Sequence, residues 1–128
     1  MAKQEVRLVV SYKINDLKLF ETVAAECCEF VSRHEEGTLA YDWYVAEDKA
    51  SGKLFEVYRD KDAFEAHLLG PVFTEIGPKF KNAITWLSID SFGPLPEVFY
   101  DILGALPNRN WAAPISSGSE RWEAVREL

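Results

Sequence analysis

The stretch EGTLAYDWYVAED, residues 36 to 48, limits the possible folds more than any other, because it carries aromatic side chains of both parities. Side chains alternate across a strand with period two. Leu39, Tyr41, Trp43 and Val45 therefore share one face, and Ala40, Asp42, Tyr44 and Ala46 share the other. An antiparallel sheet with one face in water reads as a clean alternation of apolar and polar residues. This strand does not, so its sheet needs a cover on each side. The same two-sidedness returns in KLFEVYRD, residues 53 to 60, with Leu54 and Tyr58 against Phe55 and Val57. It returns again in TWLSIDSF, residues 85 to 92, with Trp86 against Leu87 and Ile89.

The remaining patterns give the order of elements. EVRLVVSY, residues 5 to 12, alternates Val6, Leu8, Val10 and Tyr12 against Arg7, Val9 and Ser11 and predicts the first strand. Asn15 or Asp16 then caps a helix in which Leu17, Phe20, Val23, Ala24, Cys27, Val31 and His34 recur at steps of three and four, and Gly37 is expected to stop it. KASG, residues 49 to 52, is a polar turn that joins strands two and three as a hairpin. Asp60 or Asp62 caps a second helix through AFEAHL, which Gly70-Pro71 breaks before VFTEI and Gly77-Pro78 interrupts before KFKNAI. Strand, helix, strand, strand, helix, strand is the split βαβ order of a ferredoxin-like α+β fold, with both helices on one face of an antiparallel sheet. Pro96 starts a further short helix with an apolar stripe of Val98, Phe99, Ile102, Leu103 and Leu106. The last twenty residues, with Asn108, Pro114 and SSGS at 116 to 119, read as a loosely packed tail ending in a helical stub. We accordingly divide the chain into a ferredoxin-fold domain, residues 1–94, and a C-terminal helix and extension, residues 95–128.

A length of 128 residues suits one domain with a real core. The net charge of −7 argues against nucleic acid as a partner, since phosphate binding needs clustered Lys and Arg. No apolar run approaches the roughly 18 residues of a membrane span, and MAKQEVRLVV lacks the zones of a signal peptide, so the cytoplasm is the expected location and no membrane partner is expected. Cys27 and Cys28 are neighbours on a helix, where their side chains diverge by roughly 100°, and they read as small apolar residues rather than a redox pair. With two histidines far apart in sequence, no zinc spacing appears. Phosphate loops, G-x-S-x-G elbows and dinucleotide fingerprints are also missing.

The simplest second cover for the sheet is another copy of itself, which predicts a homodimer with sheet facing sheet. The aromatic surplus has another use, in a pocket between the broken second helix and the sheet, lined by Phe64, Phe73, Phe80, Tyr41 or Trp43, and Trp86. Core and pocket look alike in sequence.

EEGTLAYDWYVAED, KLFEVYRDKDAFEAHL and GPVF carry, in order, the patterns E-x-G-x-x-x-Y, E-x-Y-x-D and A-x-x-A-H-L. In this the chain resembles the antibiotic biosynthesis monooxygenase superfamily of dimeric α+β barrels, including its quinol monooxygenase branch, over about residues 5 to 92. The resemblance implies monomers paired through their sheets, each with a pocket between sheet and helices. Some members oxygenate phenols or hydroquinones with molecular oxygen and no metal, flavin or nicotinamide; others degrade haem or isomerise small sugar derivatives. By position, the family's strand-two tyrosine is Tyr41, its strand-three acid Glu56 and its helix-two histidine His67. The haem-degrading branch uses an asparagine early in strand one, and none occurs between Met1 and Ile14.

Oxygenation without a cofactor needs an electron-rich substrate, a base to deprotonate it, hydrogen-bond donors and a dry cavity. Histidine exchanges protons near neutrality, which makes His67 the candidate base, while Tyr41, Trp43 and Trp86 can stack on or donate to an aromatic ring. The alternatives stay open: His67 as a packed helix residue bonding a backbone carbonyl, His34 as a cap at the end of helix one, and Glu56 paired with Arg7, Arg59 or Lys13 at an interface. The expected function is a cofactor-independent monooxygenase of a small phenol-like or hydroquinone-like molecule, with Tyr41, Glu56 and His67 catalytic and Trp43, Phe64, Phe73, Phe80 and Trp86 binding substrate. The rivals are a ligand-binding or stress-associated barrel without catalysis, and an isomerase, which requires two acid-base groups facing one cavity.

Overall fold

A computed structural model of the chain describes residues 4–116. Its elements run β1 Val6–Ile14, α1 Leu17–His34, β2 Thr38–Val45, β3 Ser51–Tyr58, α2 Lys61–Leu68, a π turn Val72–Ile76, a 3-10 turn Gly77–Phe80, β4 Ile84–Phe92, α3 Glu97–Leu103 and β5 Asn108–Trp111. The sheet order is β2-β3-β1-β4-β5. The first four strands pair antiparallel, as the ferredoxin-like order requires, and β5 lies parallel to β4.

Caps set the helix starts. Asp16 accepts the Leu19 amide at 3.0 Å and Asp60 the Ala63 amide at 2.9 Å, each satisfying a donor that the first helical turn leaves free. Helix α1 ends at His34, with the Glu35 amide bonded back to Val31, so Gly37 is not its stop. Gly37 sits instead where the loop crosses α2: a Cβ there would lie 2.6 Å from that of Ala63, too close for any larger residue.

The core lies between the sheet and the helices. Leu8, Val10 and Tyr12 of β1, Leu54 and Tyr58 of β3 and Ile89 of β4 meet Phe20, Val23 and Cys27 of α1 and Phe64 and Leu68 of α2. Two slips in register correct the parity expected from sequence. Ser11 pairs with Ser88 but Tyr12 with Trp86, so Leu87 is the extra residue and Trp86 turns to the same inner face as Ile89 rather than the opposite one. Thr38 pairs with Tyr58 but Ala40 with Val57, which turns Leu39 out of the Tyr41 face to 54% exposure.

Residues 108 to 111 form a strand where the sequence reading has only a tail. NRNW has no apolar alternation to announce it. It forms because β4 would otherwise present an open edge: the Ile89 amide bonds Pro107, the Gly93 amide bonds Trp111, and the Asn110 amide side chain bonds Ser91 and Gly93. The expected helical stub falls outside the described residues.

Candidate functional site

A cavity of about 260 Å³ opens between the inner face of the sheet and the broken second helix, with Ile102, Leu103 and Leu106 of the α3 region on its wall. β2 places Tyr41 and Trp43 in it, β3 places Glu56 and β4 places Trp86. From the helical side come Phe64 and His67 of α2, Phe73 of the π turn and Phe80 of the 3-10 turn. All eight residues singled out in the sequence thus line one cavity.

Aromatic packing shapes its apolar end. Trp43 lies 5.0 Å from Phe80, 5.8 Å from Tyr41 and 6.1 Å from Trp86, ring to ring. Tilted and edge-on pairs of this kind hold one another in place.

At the polar end, His67 and Glu56 belong to a cluster that continues behind the cavity wall and is built by three segments. The His67 ring lies 2.7 Å from Glu35 Oε1 through Nδ1 and 3.9 Å from Glu56 Oε1 through Nε2. The Thr38 hydroxyl donates to Glu35 at 2.7 Å, and the Tyr58 hydroxyl donates to Glu56. Glu35 is thus placed to accept a proton from Nδ1, and Nε2 is the ring nitrogen on the side of Glu56 and the cavity. Tyr58, Phe73 and Tyr41 surround the imidazole at ring distances of 5.2, 5.4 and 5.5 Å.

The two carboxyls of the cluster differ in electrostatics. Burial pushes Glu56 up toward its protonated form, a shift that His67 and the Tyr58 hydrogen bond only partly offset. Burial acts in the same direction on Glu35, but hydrogen bonding and charge from His67, with the bond from Thr38, outweigh it and hold the group below the usual carboxylate range. Burial first, and the Glu56 charge next, push the Tyr41 and Tyr58 phenols well up, so both remain O–H donors. Two carboxyls shifted in opposite directions thus stand on either side of one histidine.

Glu56 does not pair with Arg7, Arg59 or Lys13; Arg7 binds Glu5 at 2.8 Å and Arg59 binds Asp60 at 3.5 Å, with both arginine side chains exposed, while Glu56 is buried 3.9 Å from His67. His67 bonds a carboxylate rather than a backbone carbonyl. His34 closes α1 with its ring 4.7 Å from that of Phe30. Sequence reasoning missed Glu35 and Tyr58, although Glu35 opens the E-x-G-x-x-x-Y pattern and Tyr58 centres E-x-Y-x-D. Among the described residues, no group of three or more His, Cys, Asp or Glu is placed to hold a metal ion, and no helix is long and apolar enough to cross a membrane.

A ferredoxin-like α+β sheet that encloses an apolar cavity with one acid-base end defines the class of protein. The model of the family described as antibiotic biosynthesis monooxygenase matches residues 8–79, more than half of the chain, and the chain belongs to that family. No curated protein matches the sequence. Among solved structures, MupZ from Pseudomonas fluorescens is similar at 18% identity and a TM-score of 0.74, with 90% of this chain and 94% of that one covered. SnoaB from Streptomyces nogalater, a cofactor-independent oxygenase, is similar at 23% identity and a TM-score of 0.62, with 73% of this chain and 96% of that one covered. At such identities the likeness is one of fold. The share covered by MupZ exceeds what the first 94 residues can supply, so that likeness extends into the C-terminal helix and extension.

Proposed function

We propose that this chain is a cytoplasmic, homodimeric, cofactor-independent monooxygenase that acts on a small phenol-like or hydroquinone-like molecule. The observation that carries the reading is the cavity itself: apolar over most of its wall, with His67 Nε2 at its one polar end. An aromatic body fits among Trp43, Phe80 and Trp86, and a single hydroxyl reaches the polar end. His67 takes the hydroxyl proton at Nε2. The resulting phenolate gives one electron to oxygen, the two radicals combine as a peroxide, and loss of water leaves the quinone, so that a phenol and O₂ become a quinone and H₂O. Tyr41 and a protonated Glu56 donate hydrogen bonds to the oxygens on which charge develops. The apolar walls keep water from the radical pair.

A second reading has its own support. Glu56 and His67 face one cavity, which is the pair of acid-base groups an isomerase requires. A non-catalytic barrel is favoured less, since an interior used only as core would be filled.

The test is oxygen uptake by metal-free protein with a panel of hydroquinones, naphthols and polyphenols, beside a His67→Ala variant. Uptake above the spontaneous rate, reduced by about 10²-fold or more in the variant, is expected for loss of a general base. A panel oxidised no faster than in buffer, or a variant as active as the parent, overturns the oxygenase reading; conversion without oxygen uptake establishes the isomerase.

A further inference from the structure

We propose that Glu35 is a positioning residue and the outer half of a proton relay, in which His67 exchanges protons with the cavity at Nε2 and with a separate surface pocket at Nδ1. The inference rests on the reading of His67 as the base, in either of the two chemistries above.

The imidazole forms part of two walls. Its inner side lines the 260 Å³ cavity together with Glu56, and its outer side lines a second, more polar pocket of about 340 Å³ together with Glu35, Thr38, His34 and Arg59. Glu56 borders only the first and Glu35 only the second. The His67 side chain is 2% exposed and that of Glu35 is 13% exposed, so the histidine meets solvent through its carboxylate partner. Rotation of the ring is opposed by Tyr41, Tyr58 and Phe73 packed around it. The titratable groups that face it are Glu56 and Tyr58 from β3, Tyr41 from β2 and Glu35 from the turn before β2.

The two nitrogens of an imidazole share one conjugated ring, so a proton gained at one makes the N–H at the other more acidic and ready to leave. The substrate O–H bond breaks as Nε2–H forms; Nδ1–H then breaks as a short-lived Glu35 O–H forms, and Glu35, which favours its charged form, passes the proton on at once to water in the outer pocket. No electron moves in these steps. The proton is thus held outside the cavity while the phenolate reacts with oxygen. It returns by the same path when the peroxide O–O bond breaks and water is formed. A closed cavity can in this way exchange protons without opening.

The experiment uses the full chain labelled with ¹⁵N-histidine, with His34→Gln to assign signals, and reads the His67 tautomer by long-range ¹H–¹⁵N correlation at mildly alkaline pH. The expected result is the Nδ1–H tautomer in the parent and a mixture in Glu35→Ala, restored by added formate but not by chloride at equal ionic strength. Glu35→Gln still accepts from Nδ1 yet cannot take a proton; it is expected to keep the tautomer and lower kcat by about tenfold or more on any panel substrate, with KM little changed. An Nε2–H tautomer in the parent, a Glu35→Ala spectrum like the parent's, or an unchanged kcat in Glu35→Gln overturns the relay. The tautomer readings need no substrate, so they judge the positioning role of Glu35, on which the relay depends, even if the oxygen-uptake panel fails.

Discussion

Glu56 is a carboxyl on the inner face of a strand, where a charge is costly unless paired, and its nearest partners are a neutral hydroxyl and an imidazole. Burial raises its folded pKa above the unfolded value, so the folded state binds the proton more tightly. Its contribution to stability is present below the unfolded pKa and is lost as pH rises through the folded one. Glu56→Gln is therefore expected to raise Tm relative to the parent near neutral pH, with the advantage shrinking toward the acid end; a deficit of constant size across the range would sink this account. Glu35 has the opposite sign. Its folded pKa is lowered, so its contribution is present above the unfolded value and is lost as pH falls through the folded one. Glu35→Ala leaves the His67 Nδ1–H and the Thr38 hydroxyl without their acceptor and is expected to cost about 1–3 kcal/mol in urea unfolding at neutral pH, less in acid. The sequence pointed to Tyr41, Glu56 and His67 because each stands in a short pattern on a regular element. Glu35 was hidden because it looks like one of two solvated acids, Glu35 and Glu36, beside a turn; only the approach of that turn to α2 through Gly37 turns it into a partner of His67.

Between α2 and β4 the chain is helical without being one helix, and that irregularity makes the cavity. Pro71 and Pro78 have no amide to give, so the ladder fails at both; the His67 carbonyl is taken instead by the Gly70 amide at 3.2 Å. The residues between wind as a π turn that ends with the Gly77 amide on the Val72 carbonyl, and this brings Phe73 and Phe80 to the cavity wall. A Cβ at Gly77 would lie 2.7 Å from that Val72 oxygen. Gly77→Ala is thus expected to destabilise by about 1–3 kcal/mol, the usual range for overpacking, and to weaken capture of an apolar dye in the cavity. Unchanged urea midpoint and dye binding would count against the π turn as a support of the site. The breaks themselves are legible in the two Gly-Pro pairs. The slip that turns Trp86 inward and the strand at 108 to 111 are not: the first depends on which residue β1 leaves unpaired, and the second on an open edge of β4, and neither leaves a local pattern.

At the scale of the molecule the unpaired feature is the outer face of the sheet, opposite the helices, where Tyr44, Phe55 and Leu87 are 58%, 38% and 46% exposed. The order of the first four strands and their helices was readable from periodicity because each face of a strand reports what covers it, and the two-sided apolar pattern reports a cover that the described residues do not supply. Apolar area left in water gives up about 25 cal/mol for each Å² that a partner could bury. A second copy offers the same face with matching aromatic side chains, and a two-fold arrangement closes without leaving a further sticky surface. The parent is accordingly expected to sediment as a dimer at micromolar concentration. Phe55→Glu puts a charge at the middle of that face, on the central part of β3 and away from the cavity side; a loss of about 2 kcal/mol or more, the scale of an interface hot spot, raises Kd about thirtyfold. The variant should then sediment as a monomer while keeping its far-ultraviolet circular dichroism and its dye-binding cavity. A parent that is already monomeric would mean that something other than a second copy covers this face, and the aromatic residues of both parities in the stretch 36 to 48 would then need a different partner to explain them.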